Sequence, residues 1–156
     1  VIGGLLEEGE KTTMYSYLVL RVVAKLLMPF ILLFALYVQF HGDFGPGGGF
    51  QAGVIFAAGF ILYALIFGLQ KAGRVLPRGI LRFGIALGVL IFAGVGVYNL
   101  LVGGKYLDYS AMAQNPVHGQ HLGILLVELG VGVTVASVMI MVFFTFARHR
   151  NTKGSD

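Results

Sequence analysis

Charge is missing from three long stretches of this chain and nearly so from a fourth, and nothing constrains its fold more. No Asp, Glu, Lys or Arg lies between Lys25 and Asp43, between Asp43 and Lys71, or between Arg82 and Lys105. Glu128 alone interrupts the run from Asp108 to Arg148. A helix that crosses a bilayer needs about 20 mostly apolar residues, because hydrocarbon supplies no water to backbone groups. The stretches therefore predict four spanning helices, at about residues 18–40, 50–69, 80–102 and 117–147. The last is long enough to tilt or to begin with an interfacial turn. Composition agrees: 57% of residues are hydrophobic and 12% charged, against about 25% charged in a soluble domain. An ordinary soluble enzyme, a disordered tail and a secreted disulfide scaffold are excluded. With no cysteine, so are disulfides, iron–sulfur clusters and thiolate zinc sites within the chain. The expected fold is all-α, an integral membrane protein forming a single membrane domain over residues 1–156 with no internal repeat.

The basic residues orient it. Lys71, Arg74, Arg78 and Arg82 surround the second connection, Arg148, Arg150 and Lys153 follow the last span, and Lys11 and Arg21 precede or open the first. The first connection has no Lys or Arg, and the third has only Lys105. Cytoplasmic loops carry the excess of Lys and Arg, so both termini are expected in the cytoplasm. The net charge of +4 then needs no nucleic acid to explain it. The stretch VIGGLLEEGEKTT is acidic before it is basic and lacks a signal-peptide pattern. It opens on Val1 rather than Met, which leaves room for residues upstream. Tyr98, Tyr106 and Tyr109 suit the outer interface.

Small residues dominate the spans. Gly49, Gly53 and Ala57 form a ridge on the second, Gly84 and Gly88 lie on the third, and Gly132 and Ala136 on the fourth. Close backbone approach drives helix association in lipid, so these ridges read first as packing between spans, with some free to face other subunits. The stretch Gly45-Pro46-Gly47-Gly48-Gly49-Phe50-Gln51-Ala52-Gly53 is the most unusual local feature. It reads first as a tight turn between the first two spans. A re-entrant element or an anion site at the opening of a helix is the sharper reading. No Lys-Ser or Lys-Thr follows, so it is not a Walker motif.

The run from Lys25 through Pro29 to Tyr37, then His41-Gly42, then Pro46-Gly-Gly-Gly-Phe-Gln-Ala-Gly53, resembles the MnhB-type component of the Mrp/Mnh multisubunit cation/proton antiporters. So does His121-Leu-Gly-Ile-Leu-Leu-Val-Glu-Leu-Gly-Val-Gly-Val-Thr134, which is similar to that family's fourth span. The resemblance covers most of residues 20–147. It implies a small membrane subunit, in a prokaryotic inner (plasma) membrane, of a complex that exchanges Na+ for H+. Its implied partners are other hydrophobic subunits and membrane lipid. Similar subunits occur in the membrane arms of energy-converting hydrogenases, which is the alternative setting.

An ionisable group inside hydrocarbon is a functional candidate by default. Glu128 lies seven residues beyond His121 and ten beyond His118. On a helix His121 and Glu128 therefore fall within about 20° of each other and about 10 Å apart along the axis, with His118 to one side. Such a group can pass protons or attract a cation; equally, it can be a buried carboxylate held by a partner subunit. Lys25 lies one turn before Pro29, whose missing N–H frees the Lys25 carbonyl and invites a kink. Snorkelling to the headgroups is the favoured reading for Lys25. It is expected in the opposite half of the membrane from Glu128, with no salt bridge between them. His41 and Asp43 join Gln39, Gln51, Asn99, His118 and His121 in the outer half or outer loops. His118-x-x-His121 with a distant Asp43 is too sparse for a metal site, so no metal and no cofactor are expected.

Three function classes follow. The first is an integral antiporter subunit that scaffolds neighbours and lines an ion or proton route through Glu128. The second is a membrane-arm subunit of a redox complex. The third is a stand-alone small transporter or channel, although a complete secondary transporter normally needs two repeats around a midplane site. No catalytic constellation supports an enzyme. Gly48 and Gly49 are expected to resist replacement by Val because of positive φ.

Overall fold

A computed structural model describes residues 2–42, 47–109 and 116–153, with side chains over 17–42, 47–109 and 117–148. Asp43 and Pro46 lie outside the described residues. All regular structure among these residues is helical: α1 (Ile2–His41), α2 (Gly49–Phe67), α3 (Leu69–Val75), α4 (Arg78–Leu101) and α5 (Pro116–Lys153). Four stretches are long and apolar enough to cross a membrane, Tyr17–His41, Gly49–Phe67, Arg78–Leu101 and Val117–Arg148.

Local chemistry sets the boundaries. Helix α1 continues through Pro29 without a break. Helix α2 begins after Gly48 and stops at Gly68, whose φ of 93° ends the right-handed run. The span expected to reach residue 69 therefore ends two residues earlier. A further helix, α3, follows at once. Its Ala72 is buried and its Leu69 packs on the core, while Lys71 and Arg74 are exposed. It is the amphipathic edge of the molecule's basic end. Leu76 precedes Pro77, which disfavours helical backbone at Leu76, and α4 starts directly after that proline.

The spanning helices form a row. Helix α5 packs on both α2 and α4, α1 packs on α2, and α1 touches α5 only lightly. Among the described residues α1 and α4 share no substantial interface, so the row stays open instead of closing into a bundle. Its two halves are built differently. Toward the basic end the core is side-chain rich: Ala57, Ala64, Ala72, Leu81, Ile140 and Phe144, with Phe60 and Tyr63 around them. Phe60 meets Phe144 edge to face, with centroids 6.3 Å apart, a favoured aromatic geometry. Toward the opposite end, glycines bring the backbones together. A Cβ on Gly53 would stand 2.6 Å from the Gly132 carbonyl oxygen, and one on Gly88 would clash with both the Gly130 oxygen and Thr134 Oγ1. The expected glycine ridges thus pack within the chain: α2 on α5, and α4 on the other side of α5.

Candidate ion site around Glu128

The site forms where the glycine-rich connection meets α5. A Cβ on Gly49 would collide with the carbonyl oxygen of Glu128, so α2 starts in direct backbone contact with the middle of α5. Gly49 is helical, and close approach, not positive φ, makes it a glycine. Positive φ does apply to Gly47 and Gly48, at 141° and 150°. The reason expected for Gly48 therefore holds, and the reason for Gly49 is replaced.

The half-buried Glu128 side chain turns into this connection. A Cβ on Gly42 would stand 2.6 Å from Glu128 Oε2 and 2.9 Å from Oε1, and one on Gly48 would stand 2.6 Å from Oε1. The same Gly42 Cβ would be 2.8 Å from the Gly48 Cα. The end of α1 and the start of α2 therefore meet over the carboxylate, and neither has room for a side chain. Gly48 is also the N-cap of α2. The partial positive charge of that helix end favours an anion beside it. Two separate signals in the sequence, the triple glycine and the lone intramembrane acid, are thus one structure.

A cleft of about 420 Å³ opens beside Glu128, lined by Gln39, Phe40, His118, His121, Leu122 and Leu125 together with Glu128 itself. It gathers three of the candidate residues, His118, His121 and Glu128. Both imidazoles are exposed. No group of three or more His, Cys, Asp or Glu residues is close enough to hold a metal ion among the described residues. His41 lies near by but stacks on Tyr37, with ring centroids 5.1 Å apart, and does not line the cleft. Phe50 is exposed in the first turn of α2. Lys25 is elsewhere. It is 17 residues before Gly42, about 25 Å along α1, and its ammonium stands 5.8 Å from the centre of the Phe67 ring, within cation–π range.

Gln39 is the residue that sequence reasoning does not single out. It lines the Glu128 cleft and also a second cleft of about 240 Å³ between α1, α2 and α5, beside Ala35, Ala52, Gly53, Ala136 and Ser137. Its side chain is 7% exposed. A Cβ on Gly132 would stand 2.6 Å from Gln39 Oε1, so Gly132 makes room for the amide. Polarity alone places Gln39 in the outer group; its burial depends on a glycine of another helix and is invisible in one dimension. Asn99, also in that group, is fully buried.

The connection after α4 is pinned by aromatics. The Tyr106 ring covers Gly96 and the Tyr109 ring covers Gly123, where in each case a Cβ would clash. Burial pushes the Tyr109 hydroxyl above its ordinary pKa of 10.0, and Tyr106 adds to the shift.

Comparison with known proteins agrees with this architecture. Residues 19–141 match the family model described as a domain related to the MnhB subunit of Na+/H+ antiporters. Proteins named as antiporter subunit mnhB2 from Staphylococcus aureus strains Newman and COL are each 34% identical over 136 residues. The alignment covers 85% of this chain and 96% of each relative. The matched region contains Glu128, both glycine-rich contacts of its carboxylate and the paired histidines, and the chain belongs to the MnhB family of Na+/H+ antiporter subunits.

Proposed function

We propose that this chain is a multi-pass subunit of a multisubunit Na+/H+ antiporter in a prokaryotic plasma membrane, with both termini cytoplasmic. In this reading it scaffolds neighbouring hydrophobic subunits and lines an ion or proton route through Glu128. The family match supports the antiporter setting, and nothing in it favours the hydrogenase membrane arm. The cytoplasmic placement of the basic end rests on the distribution of Lys and Arg.

One observation carries the route: the Glu128 carboxylate is seated against the backbone of Gly42 and Gly48, beside a cleft that also exposes His118 and His121. A carboxylate placed there can attract a cation or exchange a proton with an imidazole. Among the described residues of the spans it is the sole acid, so the chain relies on partner subunits for the rest of the exchange cycle.

The test uses the whole complex in everted membrane vesicles. Glu128→Ala is expected to lower Na+-dependent proton exchange by about tenfold or more, equivalent to about 1.4 kcal/mol in a barrier. Glu128→Asp, which keeps the charge on a shorter stem, is expected to retain more activity than Ala. Near-normal exchange in both variants, with the complex assembled, would leave Glu128 a structural residue.

A further inference from the structure

The two clefts have one polar side chain in common. Gln39 forms part of the wall of the Glu128 cleft and part of the wall of the cleft next to it. On α5, Gly132 lies one turn from Glu128 on the side toward the basic end, and it is Gly132 that faces the Gln39 amide. The amide therefore stands where a polar route leaving Glu128 would next have to pass.

The chemistry of this position is unusual. Gln39 is more than nine-tenths buried, and its Nε2 has no hydrogen-bond partner among the described residues. A buried donor without an acceptor carries the full desolvation penalty of the group. An apolar side chain of the same length would avoid that penalty, since the second cleft is otherwise walled mainly by Ala35, Ala52, Phe56, Val133 and Ala136. Packing alone gives no reason for an amide here. A route that must carry a hydrogen-bonded water past an apolar constriction does give one.

We propose that Gln39 is a positioning residue of the Glu128 route, whose Nε2–H donates to a water that links the Glu128 cleft to the cleft beneath it. This rests on the reading of Glu128 given above and extends it by one turn of α5. The required ligand is water, which accepts from the amide and donates onward. No bond is made or broken at Gln39.

The experiment measures exchange and thermal stability of the whole complex carrying Gln39→Met, Gln39→Glu or Glu128→Ala. Gln39→Met keeps the length and removes the donor. It is expected to leave the melting temperature equal or higher and to lower exchange about tenfold. Gln39→Glu keeps the shape and replaces the amide donor with a carboxyl group. Its exchange is expected to be low at alkaline pH and to recover as the pH falls, because only the protonated carboxyl can donate. A merely structural glutamine would not produce that altered pH profile. If Gln39→Met does not assemble, the pH profile of Gln39→Glu decides the matter. Wild-type exchange and a wild-type pH profile in Gln39→Glu, or wild-type exchange in an assembled Gln39→Met complex, would overturn the inference. Glu128→Ala separates the two levels. If it lowers exchange while the Gln39 variants do not, only the role of Gln39 fails; if it leaves exchange intact, the Glu128 route itself fails.

Discussion

At the scale of single residues, Glu128 and its glycines behave as one unit. The acid was legible in the sequence because a charge in an apolar run has few explanations. The triple glycine was legible as a turn. That the two touch was not, because one lies in the connection after α1 and the other in the middle of α5, and only folding brings them together. This contact makes the glycines differ in what they tolerate. Gly49→Ala is expected to cost about 1–3 kcal/mol of stability, the usual penalty for forcing atoms into a packed site, because its Cβ meets the Glu128 carbonyl. Gly94→Ala, in the interior of α4 where a Cβ meets nothing within 4 Å, is expected to leave stability unchanged or raise it by about 0.5–1 kcal/mol. Thermal unfolding of the two variants in the same detergent, read alongside co-purification of partner subunits, checks the contrast. Gln39 was legible as a polar residue near a span end and no further, since its burial requires the space left by Gly132.

At the scale of elements, the four spans were readable from charge spacing because each is a long uniform signal. Helix α3 was not. Its seven residues fall inside the basic connection, where Lys71 and Arg74 marked the membrane side and masked the apolar pair Leu69 and Ala72. The boundary that creates α3 is Gly68, with φ of 93° and no neighbour near its missing Cβ. Gly68→Ala is therefore expected to act through backbone strain alone, about 1–3 kcal/mol, without disturbing any packed surface. A lowered melting temperature with unchanged partner binding is the signature to measure. At Tyr109, in the connection after α4, a response to pH is expected. Burial raises the Tyr109 pKa, so its neutral form is the one the fold favours. The resulting stabilisation is complete below the unfolded value of about 10 and is lost as the pH rises through the higher folded value. In an ultraviolet titration of tyrosinate, Tyr109→Phe is expected to remove one component from the high-pH part of the wild-type curve.

At the scale of the whole molecule, the open row of helices separates two kinds of surface. The apolar flanks, such as Leu18, Leu26, Phe30, Leu33 and Phe34 on α1, cost nothing against lipid, because lipid tails are as apolar as the side chains. They do not by themselves demand protein neighbours. The cleft with His118, His121, Gln39 and Glu128 does ask for water or polar partners, since groups of this kind are expensive in hydrocarbon. The protein is accordingly expected to insert and fold when expressed alone, yet to catalyse no Na+/H+ exchange in liposomes until its partners are supplied. Flux assays on the purified chain and on the reconstituted complex distinguish these outcomes.

The Glu128 carboxylate lies against the main chain of Gly42 and Gly48, and that bears on how the protein can be handled. Exposed positions of α1 such as Leu26 and Phe30 are expected to tolerate replacement by other apolar residues, since they lie away from Gly42, Gly48 and Gly49. The short α1–α2 connection, by contrast, is a poor place for an epitope tag or a fluorophore. An insertion there is expected to lower exchange by the complex, because Gly42 and Gly48 on either side of it contact the acid.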